Sequence, residues 1–92
     1  MKVDQYGECA AADGTAMTEG RYANYMKVGM NATEFVVDFG QHYASDPRPR
    51  FHSRIVTTPT HMRAFVGLLQ RCLADYENEH GAIVGLPDGE GH

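Results

Sequence analysis

The chain has 92 residues, 42% of them hydrophobic and 22% charged, with a formal net charge of −4. That suffices for one small domain, and no apolar run approaches the roughly 18–20 residues of a bilayer span. The folded stretch, residues 21–86, carries only +1, which argues against a broad nucleic-acid footprint.

The acidity sits at the ends. Residues 1–20 set Lys2 against Asp4, Glu8, Asp13 and Glu19, and residues 87–92 add Asp88 and Glu90, while the stretch between carries a net charge of +1. Residues 1–20 show no sustained apolar period and read as a disordered leader. This leader has one Lys and no apolar h-region, so no signal peptide is expected and the cytoplasm is the default location. Residues 85–92, with "LPDGEGH", read as a flexible tail, which leaves a single folded domain over 21–84. Cys9 and Cys72 are the only cysteines. Cys9 falls in the leader and Cys72 on the apolar stripe of a helix, where it reads as a small buried hydrophobe. A bridge between them is open but not implied.

From Tyr22 to Met30 the apolar and polar residues alternate. Tyr22, Asn24, Met26, Val28 and Met30 share one side of a strand, and Ala23, Tyr25 and Lys27 share the other. Gly29 and Asn31 tolerate positive φ, so "GMNAT" predicts a hairpin. The second strand runs from Glu34 to Tyr43, with Phe35, Val37 and Phe39 facing in, and Glu34, Val36 and Asp38 facing out. Pro47 and Pro49 lack the N–H a ladder needs, so "SDPRPR" is a loop. A third strand follows from Phe51 to Thr57.

Thr58 is a good N-cap, with Pro59 at the first helical position. Met62, Phe65, Val66, Leu68, Leu69, Cys72, Leu73 and Tyr76 then recur at spacings of three and four, the mark of a helix face lying on a core. Gly81 ends the helix after His80, for a length of roughly 33 Å. The fold class is therefore α+β: a three-stranded antiparallel sheet followed by one long C-terminal helix. One helix covers one face of a sheet, leaving Tyr25, Val36 and either Ile55 or Val56 on the other. An open edge and a partly apolar outer face predict a two-fold homodimer.

Several short motifs, taken together, carry a resemblance. They are Asn24 before a strand; Glu34, Phe35, Asp38 and Phe39; Arg54, Ile55, Val56 and Pro59; Leu69; and Tyr76, Glu77, Gly81 and Ile83. In this order they resemble the short prokaryotic proteins grouped as domain of unknown function 3467. The match covers about residues 21–84. The resemblance implies no activity, and the Asp46 to Arg50 loop is longer and more basic than that pattern.

Chemistry-bearing groups are sparse. Glu34 and Asp38 share a face but stand about 13 Å apart on an extended strand, too far to work as a paired-acid site. The five histidines, His42, His52, His61, His80 and His92, show no zinc spacing. Ser45 and Ser53 lack a base-and-orienter set, and no glycine-rich phosphate loop is present. The chain is therefore expected to be no enzyme, and to use no metal or other cofactor. Asp38 opposite Arg54 is predicted as a cross-strand pair. Arg48, Arg50 and Arg54 with Phe51 form the main candidate contact surface, for an acidic protein partner or, as the alternative, for nucleic acid. On the far face of the helix, Ala64, Gly67 and Ala74 offer a close helix–helix dimer contact. The expected partners are a second copy and another protein, with no membrane.

Overall fold

The computed structural model describes Cys9 and residues 19–86. Most of the expected leader and part of the expected tail lie outside the described residues. Strands β1 (Tyr25–Met30), β2 (Phe35–Gln41) and β3 (Arg50–Thr57) precede helix α1 (Pro59–His80). The sheet is antiparallel in the order β1-β2-β3, which makes β1 and β3 its two edges. This is the expected β-β-β-α arrangement. β1 starts three residues later than the alternation alone suggests, and β2 is trimmed at both ends.

What happens ahead of β1 explains the late start. The Asn24 N–H donates to the Gly40 carbonyl (3.0 Å), but its side chain then takes over the pairing. Asn24 Oδ1 accepts from the His42 N–H (2.8 Å), and Nδ2 donates to the His42 carbonyl (3.2 Å). A carboxamide thus stands in for a peptide group and closes the end of the β1–β2 ladder.

The β1–β2 turn is also made by a side chain. Asn31 Oδ1 accepts from the backbone N–H groups of Thr33 and Glu34 (both 2.9 Å) and from the Thr33 hydroxyl (3.2 Å). The Asn31 N–H donates to the Glu34 carbonyl at 3.0 Å. Among the described residues no non-glycine residue has positive φ, so Asn31 turns the chain by accepting hydrogen bonds and not by a left-handed backbone. Gly29 lies within β1.

The register sorts the faces as the alternation predicts. Met26, Val28 and Met30 stand opposite Phe39, Val37 and Phe35, and Val37 stands opposite Ile55. These make the inner face, toward α1. Val36 opposite Val56, and Lys27 and Arg54 on either side of Asp38, make the outer one.

At Gly40 the ladder slips. Phe39 pairs with Ser53 but Gly40 pairs with Phe51, so His52 is the extra residue of a β-bulge. Gly40 is the one buried residue among those described. A Cβ there would run into the Arg50 carbonyl and come within 2.8 Å of Phe51 Cα. Only a residue without a side chain lets β3 pass this closely.

Helix α1 begins and ends where its capping chemistry says. Thr58 Oγ1 accepts from the His61 N–H (3.1 Å), and Pro59 occupies the first turn. Gly81, at φ +93°, donates its N–H to the Glu77 carbonyl (2.9 Å). Glu77 Oε2 also accepts from the Ile83 N–H (3.0 Å).

One expectation is corrected. The helix stripe was expected to lie on a core, yet Phe65, Val66, Leu69, Leu73 and Tyr76 are all more than two-fifths exposed. α1 makes only sparse backbone contact with any strand. Its first turns border an apolar groove with Val37, Phe39 and Ile55 through Met62 and Phe65. No hydrophobic side chain among the described residues is buried. The elements are in place, but the described residues form no buried hydrophobic core.

Cys72 is corrected too. It is joined to Cys9 in a disulfide spanning 63 residues of sequence, with the Cα atoms 5.6 Å apart. The cysteine read as a buried hydrophobe is instead the anchor of a cross-link to the N-terminal segment. Such a bond restricts the unfolded chain, the more so as the loop it closes grows.

Candidate interaction surface

Among the residues singled out from sequence, the structure brings Asp38 and Arg54 together most closely. They face each other across β2 and β3, and the guanidinium grips the carboxylate with two bonds. Arg54 Nε donates to Oδ1 at 2.7 Å and Nη2 to Oδ2 at 2.9 Å. The Asp38 side chain is 14% exposed and that of Arg54 is 68% exposed, so the acid sits inside the fork while the base remains wet. The Arg54 hydrogen bonds hold the Asp38 pKa below its ordinary value. Partial burial opposes this, and the charges of Arg54 and Lys27 add to it. Arg54 is shifted up by the same hydrogen bond.

The basic loop is folded back on itself. Asp46 Oδ1 accepts the Arg48 N–H (3.0 Å), and Oδ2 faces Arg50 Nε (3.4 Å) and Nη2 (3.3 Å). The Arg48 N–H, and after it Arg50, pull the Asp46 pKa down against its desolvation. Arg50 and Arg54 are therefore each engaged by a carboxylate, Arg54 as the cross-strand pairing predicts and Arg50 against the expectation of an outward-reaching charge. The Arg48 side chain is exposed. Phe51 packs edge-on against Tyr25, with centroids 5.7 Å apart across Gly40, and remains 43% exposed. Phe51, Arg54, Asp38, His52 and Ser53 line a shallow depression of about 320 Å³ on the outer face.

The histidines have separate employments. His42 Nε2 lies 3.3 Å from the Pro47 carbonyl. His52 sits between the Tyr22 carbonyl (2.9 Å) and the Ser53 hydroxyl (2.7 Å). Among the described residues no cluster of three or more His, Cys, Asp or Glu side chains has the arrangement of a metal site. No described helix is long and apolar enough to cross a membrane. On α1, Ala64 and Gly67 are half-buried and Ala74 is exposed. A Cβ at Gly67 would meet nothing within 4 Å, so nothing among the described residues requires glycine there.

Both carboxylates with depressed pKa values stabilise the fold only while ionised. Their contribution is complete above the unfolded carboxylate pKa, near 3.9, and is lost as pH falls through the lower folded values. Stability should thus be flat from about pH 7 to 5 and drop below about pH 4. An Asp38→Asn variant should show a shallower acid limb in urea titrations; an unchanged limb would mean the pair is idle.

The order of these features along the chain is that of a single family. The family described as Protein of unknown function (DUF3467) matches residues 4–85. The chain belongs to it. The match extends well ahead of the motifs that carry the resemblance, and it takes in Cys9 as well as Cys72. Asn24, Asp38, Arg54 and Gly81, which carried the DUF3467 resemblance, prove to be a ladder clamp, a cross-strand ion pair and a helix terminator. These are structural duties. No curated protein and no solved structure matches the DUF3467 chain.

Sequence reasoning passed over Gly40 and the Asn24 clamp, and left the disulfide open. For Gly40 the signal was present: a glycine inside an apolar strand marks a bulge or a close backbone approach.

Proposed function

We propose that the protein is a homodimeric protein-interaction module, an accessory that binds another protein and performs no chemistry of its own. One observation carries the reading: no hydrophobic side chain among the described residues is buried. Folding orders a backbone at a cost of about 1–2 kcal/mol per residue, and apolar burial is the main return on it. A helix stripe and a sheet face that stay wet in one copy find that burial against another. Half of one such side chain is on the order of 100 Å². Eight of them, five on α1 and three on β1, therefore offer roughly 800 Å² per protomer, the share of one partner in a standard interface.

The absence of chemistry is supported by what the polar groups already do. Asp38 and Asp46 are committed to arginines, and His52 to a carbonyl and a hydroxyl. The outer face, with Phe51 beside Arg54, is where a further protein would dock. The nucleic-acid reading through Arg48, Arg50, Phe51 and Arg54 has less to stand on, because two of its three arginines face carboxylates. We place the protein in the cytoplasm, where thiols are kept reduced, so the Cys9–Cys72 bond belongs to its oxidised form.

Mass action provides the test. If folding and association are one event, the melting temperature rises with protein concentration over a hundredfold range. A melting temperature independent of concentration would overturn the proposal.

A further inference from the structure

The two edges of the sheet are not alike. β3 is blunted: Pro49 precedes it, Arg50 and Arg54 lie along it, and the bulge at His52 twists it out of register. These are the devices by which an edge refuses further strands. β1 has only one of them, the charge of Lys27. It is six residues, YMKVGM, with one charge and no bulge in its pairing to β2.

The direction of its free groups follows from the turn. The Asn31 N–H bonds to the Glu34 carbonyl, so the odd residues of β1 exchange hydrogen bonds with β2. The N–H and C=O groups of Met26, Val28 and Met30 therefore point away from the sheet. The side chains of those same three residues lie on the inner face, where they are 51%, 59% and 76% exposed. One short strand thus presents an unused ladder and an uncovered apolar row.

We propose that two copies join along β1, antiparallel about Val28, into a continuous six-stranded sheet. This rests on the dimer reading above and names its seam. An isologous pair must be self-complementary, and the outward groups fix the centre: Val28 bonds to its symmetry mate, and Met26 bonds to the partner's Met30. This centre sets Lys27 opposite the partner's Gly29 and so keeps the two lysines from facing each other, a pairing that would destabilise the sheet. On the inner face, Met26, Val28 and Met30 of both copies form one flexible apolar row, and Phe35 ties it to the groove beside α1. The helices, whose exposed stripes need cover, close over that row.

Amide hydrogen exchange on the intact protein reads the seam directly. The Met26, Val28 and Met30 amides should exchange as slowly as those of Lys27 and Gly29. Fast exchange at the three even positions in a protein that sediments as a dimer would move the seam elsewhere and leave the dimer standing. A monomeric protein would remove both. Val28→Pro gives an independent reading, because proline at an outward-facing edge position deletes no bond to β2. It should weaken association at least a hundredfold, and an unchanged dimer would overturn the seam. If this variant does not fold, the exchange pattern of the unaltered protein decides.

Discussion

Replacing Gly40 with alanine should cost about 3 kcal/mol, the upper end of what overpacking usually does. The new methyl would meet backbone, the Arg50 carbonyl and Phe51 Cα, and backbone has no rotamer to escape into. Relief requires β3 to move off β2 at the bulge. That would also part Phe51 from Tyr25, whose rings meet across this glycine. At roughly 4–8 °C per kcal/mol for a domain of this size, the melting temperature should fall by about 12–24 °C. Gly29→Ala is the control, because a Cβ at Gly29 meets nothing within 4 Å. Thermal denaturation followed by circular dichroism separates the two. Equal, small effects in both variants would mean that the strands do not approach as described.

Leu69→Glu should have the larger effect on association. Leu69 sits mid-stripe on α1, 43% exposed, between Phe65 and Leu73. Fully burying a leucine contributes about 1.5–3 kcal/mol, Leu69 has about two-fifths of that left to gain, and a two-fold interface loses two such shares. The dimer should therefore weaken about tenfold to a hundredfold, before any penalty for placing a carboxylate in an apolar contact. Asn78→Glu adds the same charge on the opposite side of the helix, the side of Gly67 and Ala74, and should leave association intact. The converse result, dissociation by Asn78→Glu and not by Leu69→Glu, would transfer the helix contact to Ala64, Gly67 and Ala74.

These two sites differ in how far the sequence discloses them. The ends of α1 were legible because capping is local: Thr58, Pro59 and Gly81 each act within one turn. The sheet faces were legible because alternation has a period of two and a hairpin preserves it, which also placed Asp38 across from Arg54. The bulge was written in Gly40, but a lone glycine does not say which strand slips. The roles of Asn24 and Asn31 were hidden, because a carboxamide that replaces a peptide group leaves no pattern in the sequence. The Cys9–Cys72 bond depends on where the chain's start lies in space, which spacing alone does not encode. The helix stripe shows the general limit: periodicity tells which residues want cover, and the fold tells whether the same chain provides it. Here it does not.

Sedimentation equilibrium across micromolar concentrations, with and without reductant, tests this most directly. The account predicts twice the 10.2 kDa protomer mass in both conditions, because the interface is apolar and not covalent. A folded species of one protomer mass, holding its apolar stripe in water, would contradict it.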